Sequence, residues 1–476
     1  MSTRRSQLRR DEMVDTNLLT RILDIDFTNC IALVEPNVPM DQLVKATTKH
    51  GFLPPVVMEF PGITVGGGFA GTAGESSSFK YGLFEHTVAS VEVVLTNGDV
   101  VHASSTDQPD LFYGIASSFG TLGVVTSLKL RLIASKPYVI LKSIPVRSIK
   151  EAVSVIESAI SYESTNYVDG IMYGPECGII FEGQLVDIIA TGTLVRTFTR
   201  TKDPWFYLYA KDATNNCEST VTEAIPIVDY LFRYDRGAFW VGWYAFKYFK
   251  TPFNCVTRWL LDRFMHTCVM VHALHKSGLS DQYIAQDVGI PYPKVPAFFW
   301  FIEREFGFFP IWLCPVNVRG PSNQFSPAIS IDRVDKLLNF GIWSPGSHDK
   351  RKFVLSNRLI ERKVYNLGGV KCLYAHAYYT ETEFWEIYNR LLYEKLRSKY
   401  HASYLPSVYE KVKVDLPSEE RDSNTSLLAW LLAVFWNIWP LEALYGVLHA
   451  LKGGDYLLPQ RYPWPSKSLW KSPKSL

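Results

Sequence analysis

The stretch that most constrains this chain is 64–82, TVGGGFAGTAGESSSFKYG, with Gly66, Gly67, Gly68, Gly71 and Gly74 inside nine residues. Thr72, Glu75, Ser76, Ser77 and Ser78 make the remainder polar. Without a Cβ the backbone reaches positive φ and lies close against a ligand, and successive exposed N–H groups form anion-binding nests. The stretch predicts a loop that cradles a pyrophosphate and admits a flat cofactor; the plainer alternative is a flexible surface loop. Its spacing is neither G-x-x-x-x-G-K-[ST] nor strand–G-x-G-x-x-G–helix, so neither the P-loop nor the Rossmann mechanism applies.

The flanking sequence is sheet-rich. Residues 18–34 read as one or two strands around a turn at 24–29, and Asp41 is the expected N-cap of a short helix that stops at Gly51. In VASVEVVLTNGDVVHAS, Val91, Val93 and Leu95 share a face, and Asn97-Gly98 predicts a type I′ hairpin turn. DLFYGIASSFGTLGVVTSLKLRLI predicts a short helix, a second glycine pair at Gly120 and Gly123, and a strand alternating through Leu128, Leu130 and Leu132. Residues 18–135 thus read as α+β, with two glycine loops converging on one site.

Beyond them, 151–162 carries a helical apolar stripe. The segment 203–265 is dense in aromatics, which a core and a lipid- or sterol-facing surface explain equally well. Residues 297–316 contain a strand ending at Cys314-Pro315, and 319–352 read as a loop region. Thr380 and Glu383 form a capping box ahead of a helix whose face is Phe384, Ile387, Tyr388 and Leu391. In the tail, 427–448 is a run of 22 residues with Glu442 as its single charge, the length of a membrane span or embedded hairpin. Pro440, Asn437 and Glu442 count against a simple span, and a helix lying on the membrane or packed on the protein is the alternative.

Composition narrows the partners. The formal net charge of +2 in 476 residues carries no electrostatic footprint for nucleic acid. Seven scattered cysteines without a C-x-x-C argue against a zinc site or disulfide scaffold and fit a reducing compartment. His272 and His275 lie three apart, but no carboxylate or Cys stands at ligand spacing, so no metal is expected. The arginine-rich start has no apolar core after it and reads as neither a secretory signal nor a mitochondrial presequence.

Three stretches together carry a resemblance: the glycine stretch running on through ESSSFKYGLFEH, then PIWLCP, then LYAHAYYTETEFWEIYNRLLYEKLR. Over about residues 15–413 the chain resembles flavoproteins of the vanillyl-alcohol-oxidase/p-cresol-methylhydroxylase (PCMH) type, and within them the Δ24-sterol reductase family. The resemblance implies an α+β fold: a PCMH-type FAD-binding domain at 1–137, with its first lobe largely missing; an α+β cap domain holding substrate at 138–413; and an apolar C-terminal helical extension at 414–476. It implies that Thr64, Val65, Gly66, Gly67, Gly68, Gly71, Thr72, Glu75 and Ser76 bind FAD, with Gly123 and Val124 from the second loop. No His or Cys occurs in 56–63, so the flavin is expected to be non-covalent. The resemblance further implies reduction of the C24–C25 double bond of a sterol side chain with NADPH, at an endoplasmic-reticulum membrane facing the cytoplasm. The tail beyond 414 lies outside the family pattern and is a candidate replacement for the family's N-terminal anchor.

Such a reaction needs a hydride at one carbon and a proton at the other. Glu75, Tyr81 and His86 lie near the glycine stretch, but a structural role suits each, and no catalytic residue is assigned. The segment 239–253 is the expected sterol and membrane contact, with a plain aromatic core as its alternative. Two rivals to the sterol reductase stand: a related flavoenzyme, isomerase or oxidase, on another sterol or isoprenoid, and a non-catalytic membrane-associated sterol-binding protein.

Overall fold

The structure is a computed structural model that describes residues 14–216, 220–318, 336–375, 377–414 and 439–454. The first domain is built on a five-stranded antiparallel sheet. Its strands are β1 (Ile22–Asp26), β2 (Ile31–Val34), β4 (Val88–Val94), β5 (Val100–Ser104) and β6 (Val124–Arg131), in the order β1-β2-β6-β4-β5. The short strands β3 (Phe52–Leu53) and β7 (Ile133–Ala134) pair separately. Val91, Val93 and Leu95 are buried together, as their alternation predicts.

The hairpin turn differs from type I′. Among its residues only Gly98 has positive φ, at 90°, and Gly98 N–H bonds Leu95 O at 3.0 Å. Type I′ needs positive φ at both central residues, so this is a longer turn closed by one left-handed glycine. The first helix runs Met40–Thr48 with Pro39 at its N-cap, which moves Asp41 into the first turn; Gly51, at φ 79°, ends the turn that follows.

The second domain holds an eight-stranded antiparallel sheet. Its strands are β8 (Tyr138–Val146), β9 (Tyr167–Gly174), β10 (Cys177–Val186), β11 (Val221–Pro226), β12 (Tyr283–Pro291), β13 (Ile311–Asn317), β14 (Lys336–Pro345) and β15 (Val370–Lys371), in the order β11-β8-β10-β9-β13-β14-β12-β15. Helices Ile149–Ser161, Val295–Phe306 and Lys350–Asn366 cover one face through Ile156, Phe298, Ile302 and Ile360. Alternation sends the remaining side chains to the opposite face. On β13, Ile311 and Leu313 enter the helix-covered core, while Trp312 and Cys314 join the core shared with the first domain.

In this domain one sequence expectation holds with a shifted boundary and one fails. The segment 297–316 is mostly helix up to Phe306, closed by left-handed Gly307, and its strand continues past Pro315 to Asn317. Within the expected loop region 319–352, Lys336–Pro345 is a strand flanked by β13 and β12; 319–335 lie outside the described residues. Local sequence misled in the second case because strand partners distant in the chain overrode propensity.

The capping box forms as expected, with Thr380 Oγ1 accepting from Glu383 N at 3.3 Å. Its helix ends at Ile387, however, and a new one starts at Arg390, so Leu391 is 86% exposed instead of joining the buried face. This second helix returns to the first domain. Tyr393 O–H donates to Thr121 Oγ1 at 2.7 Å, and Lys399 and Tyr400 both bond Asp110.

Of the tail, 427–438 lie outside the described residues. Leu441–Gly453 is a helix packed on helix Thr267–Ser277, with Gly446 against the Ala273 carbonyl. No helix among the described residues is long and apolar enough to cross a membrane.

A candidate flavin and substrate cavity

The glycine stretch is partly helical rather than a continuous loop. Thr64 caps helix Val65–Gly71 by accepting from Gly67 N at 3.1 Å, and Thr72 ends it in the left-handed region at φ 48°. The glycines divide by what surrounds them. A Cβ at Gly66 lands 2.6 Å from Pro36 Cβ and 2.9 Å from its carbonyl oxygen, so packing requires Gly66, while at Gly68 its close contact is with the flexible end of Met58. At Gly71 the nearest atom to an added Cβ is Tyr374 Cβ at 3.7 Å, so packing leaves space there that the sequence does not fill.

That space belongs to a cavity of about 360 Å3 between the two domains. Gly67, Gly68, Gly71, Thr72 and Gly74 form one wall, and Trp312, Cys314, Asn339 and Trp343 of the second sheet form the opposite one. Helix Val241–Tyr248 and its flanks contribute Phe239, Val241, Ala245, Tyr248 and Phe249; the tail helix adds Ala443 and Val447. The aromatic segment therefore does two jobs. Trp240 and Phe246 are buried core, whereas Phe239 stacks on Tyr234 at 3.9 Å and also borders the cavity.

The other expected cofactor residues sit elsewhere. Val65 is fully buried. Glu75 and Ser76 lie behind the wall, where they tie the domains together: Val168 N bonds Ser76 O at 2.7 Å, and Tyr230 O–H reaches Ser76 Oγ at 3.3 Å. Glu75 accepts from Ser76 N, a structural amide contact of the kind expected for it. Burial raises its carboxyl to about 7; Arg233 opposes the shift and Asp169 adds to it. Gly123 precedes β6, Val124 begins it, and neither lines the cavity, so the two glycine loops do not converge on it. A Cβ at Gly123 meets Val93 Cγ1 at 2.7 Å, so strand packing explains that glycine. Nearby Ser117 and Phe119 take positive φ, at 61° and 51°, and Ser117 Oγ is buried without a partner. His86 Nδ1 accepts from Leu83 N at 3.1 Å and burial pushes its pKa down, while Tyr81 is half-buried.

Sequence reasoning missed the polar residues of the cavity. Asp287 on β12 accepts Asn339 Nδ2–H at 2.9 Å and the Tyr374 hydroxyl. Burial raises Asp287 to about 6, although the hydrogen bonds from Tyr374 and Asn339 oppose the shift. Glu59 also borders the cavity; burial and then Glu75, to which it hydrogen-bonds, raise it well above the carboxylate range. An acidic residue inside the apolar strand IAQDVGIP was the available signal for Asp287. Among the described residues, no group of three His, Cys, Asp or Glu is placed to hold a metal.

These features fit a flavin. The side-chain-poor wall at Gly67–Gly74 would suit a flat ring, the opposite wall is aromatic, and outside the cavity the Ser117 hydroxyl is buried without a partner. The comparisons agree. Residues 2–104 match the family described as FAD binding domain. The chain is similar to the Delta(24)-sterol reductases, with an FAD-binding domain at its start. It is 28% identical to the Delta(24)-sterol reductase of Homo sapiens over 397 residues, covering 83% of this chain and 76% of that protein. For the Delta(24)-sterol reductase of Arabidopsis thaliana the identity is 29% over 439 residues, 86% and 77% of the two chains. For the Delta(24)-sterol reductase homolog of Caenorhabditis elegans it is 26% over 432 residues, 84% and 78%.

Proposed function

We propose that this protein is an FAD-dependent oxidoreductase that reduces the C24–C25 double bond of a sterol side chain, with NADPH as the electron source. The observation that carries the reading is the apolar, aromatic cavity laid against Gly67–Gly74 of an FAD-binding domain. FAD would supply the hydride. Gly67, Gly71, Thr72 and Gly74, which border the cavity, would receive the ring, and the Ser117 hydroxyl, buried without a partner, would meet the remainder.

The chain's own side chains do the rest. Phe239, Trp312 and Trp343 exclude water and present an apolar surface to a hydrocarbon side chain. The thiols of Cys314 and Cys372, which line the same cavity, are pushed up by burial; this keeps them protonated and is consistent with a non-covalent flavin. Membrane association belongs to the same reading. Trp243, Trp259, Leu260, Leu444 and Leu448 are exposed on the helices that border the cavity or follow them, an arrangement suited to taking substrate from a bilayer, in the endoplasmic reticulum facing the cytoplasm.

The test is direct. Purified protein titrated with FAD is expected to acquire a bound-flavin spectrum, and the loaded protein with NADPH is expected to convert a 24-unsaturated sterol to its 24,25-reduced product. Absence of flavin binding refutes both enzyme readings and leaves the sterol-binding one. Flavin reduction by NADPH without turnover of that sterol points to another sterol or isoprenoid substrate.

A further inference from the structure

Reduction of an isolated alkene needs a proton as well as a hydride, and the cavity contains one polar cluster built to deliver it. Three elements meet there. On β12, alternation buries Ile284, Val288 and Ile290 under the helices and turns Asp287 to the cavity. On β14 it does the same for Asn339, between buried Leu338 and Phe340. Beyond β15, Cys372 N bonds Asp287 O at 2.9 Å, which sets Tyr374 two residues later beside the Asp287 carboxyl. Tyr374 also lies next to Gly71, so the cluster stands at the glycine-helix end of the cavity.

From this arrangement we infer that Tyr374 and Asp287 form the proton-delivery pair of the reductase, Tyr374 touching the substrate and Asp287 reloading it. The inference rests on the reductase reading above.

The hydrogen bonds show how the pair works. The Tyr374 hydroxyl bonds both Asp287 and the Trp343 indole. An indole N–H only donates, so Tyr374 accepts from Trp343 and gives its own proton to ionised Asp287. When Asp287 is protonated the direction reverses: the carboxyl donates to the phenol oxygen, and the phenol proton is free to turn into the cavity. A hydrocarbon filling the cavity removes water from Asp287 and favours that protonated form.

The step balances. A hydride, which a dihydroflavin-class donor would supply, adds to one alkene carbon. The π pair forms a C–H bond at the other carbon with the Tyr374 proton. The phenol O–H bond breaks as the Asp287 proton moves to the phenol oxygen, and the carboxylate left behind is reprotonated from solvent. Asn339 is a positioning residue that holds the second carboxyl oxygen. The titratable groups facing Asp287 are Tyr374, Glu59, Cys314 and Cys372.

The test uses Tyr374→Phe and Asp287→Asn, both close in volume to the original, with sterol binding and circular dichroism confirming the fold. Each is expected to lower kcat about 10²-fold or more with sterol affinity retained. Infrared difference titration, which needs no turnover, is expected to show a carboxyl titrating at about 6 in the wild type. It should be absent in Asp287→Asn and shifted upward in Tyr374→Phe, which lacks the hydrogen bond that favours the carboxylate. Unchanged kcat in Tyr374→Phe, or an Asp287 titration unmoved by that substitution, overturns the pair. A wild type that shows the linked titration yet reduces no sterol refutes the reductase reading and leaves the Tyr374–Asp287 coupling standing.

Discussion

Asp169→Asn should destabilise the protein strongly at pH 5 and less so at pH 8. Asp169 is fully buried on β9, and its Oδ2 accepts from Arg233 Nη2 at 2.8 Å, Tyr234 O–H at 2.6 Å and Trp312 Nε1 at 3.1 Å. At 2.8 Å and an effective dielectric of about 20, the gross attraction to Arg233 is about 6 kcal/mol. Removing one partner of a buried pair costs about 3–5 kcal/mol net, because the other charge is left uncompensated.

Glu75 then supplies the pH dependence. Its carboxyl sits at about 7, against 4.5 for an ordinary glutamate. A raised pKa means that stability is fully present below 4.5 and lost as pH rises through 7, a total of about 3 kcal/mol at 1.36 kcal/mol per unit. Without the Asp169 charge, Glu75 is left facing Arg233, ionises at lower pH and takes over the neutralisation. Burial, the larger cause of the shift, is unchanged in the variant, so it should escape part of the wild type's loss between pH 5 and 8 and the gap between the two proteins should narrow as pH rises. Urea unfolding followed by tryptophan fluorescence, at both pH values, measures the gap. A destabilisation below about 1 kcal/mol at pH 5, or an equal one at pH 8, refutes the reasoning.

Four further outcomes follow from the geometry. Gly66→Ala drives a Cβ to 2.6 Å from Pro36 Cβ and 2.9 Å from its carbonyl oxygen, and should cost about 1–3 kcal/mol in thermal or urea unfolding; Gly71→Ala should leave stability intact and weaken FAD in a fluorescence titration. Gly446→Val pushes into the Ala273 carbonyl and should lift the tail helix off helix Thr267–Ser277, seen as weaker sterol binding and faster proteolysis of the tail. His266 is opposed by burial, yet its hydrogen bonds to Asp235 and Asp262 raise it to about 9 against 6.5, so its ion pairs stabilise fully below pH 6.5 and are lost through pH 9. His266→Gln should therefore cost up to about 3 kcal/mol more at pH 6 than at pH 10, measured by unfolding at both.

Much of the first domain was legible because its signals are local. The alternation in 88–95 and the left-handed glycine of the hairpin follow from neighbours in sequence, as does the Thr380–Glu383 capping box. Local signals failed where distant partners decided the outcome. Lys336–Pro345 reads as loop in isolation and is a strand because β13 and β12 flank it. Leu391 fits a buried stripe only if one helix runs on from Thr380, and the break at Tyr388 and Asn389 turns it to solvent.

The glycine stretch shows the same division at the site itself. By itself the sequence determined that the backbone at 64–82 lies close to something, and its resemblance to flavoproteins pointed to FAD, in agreement with the family match. It could not say which glycines make room for a ligand and which for Pro36 or Met58, because those contacts depend on how the chain folds back on itself. Nor could it gather Asp287, Asn339 and Tyr374. Strand alternation is written in sequence, but which face becomes a cavity depends on what covers the other. Here three helices close one face of the eight-stranded sheet, and only the assembled domains leave the opposite face open beside Gly71.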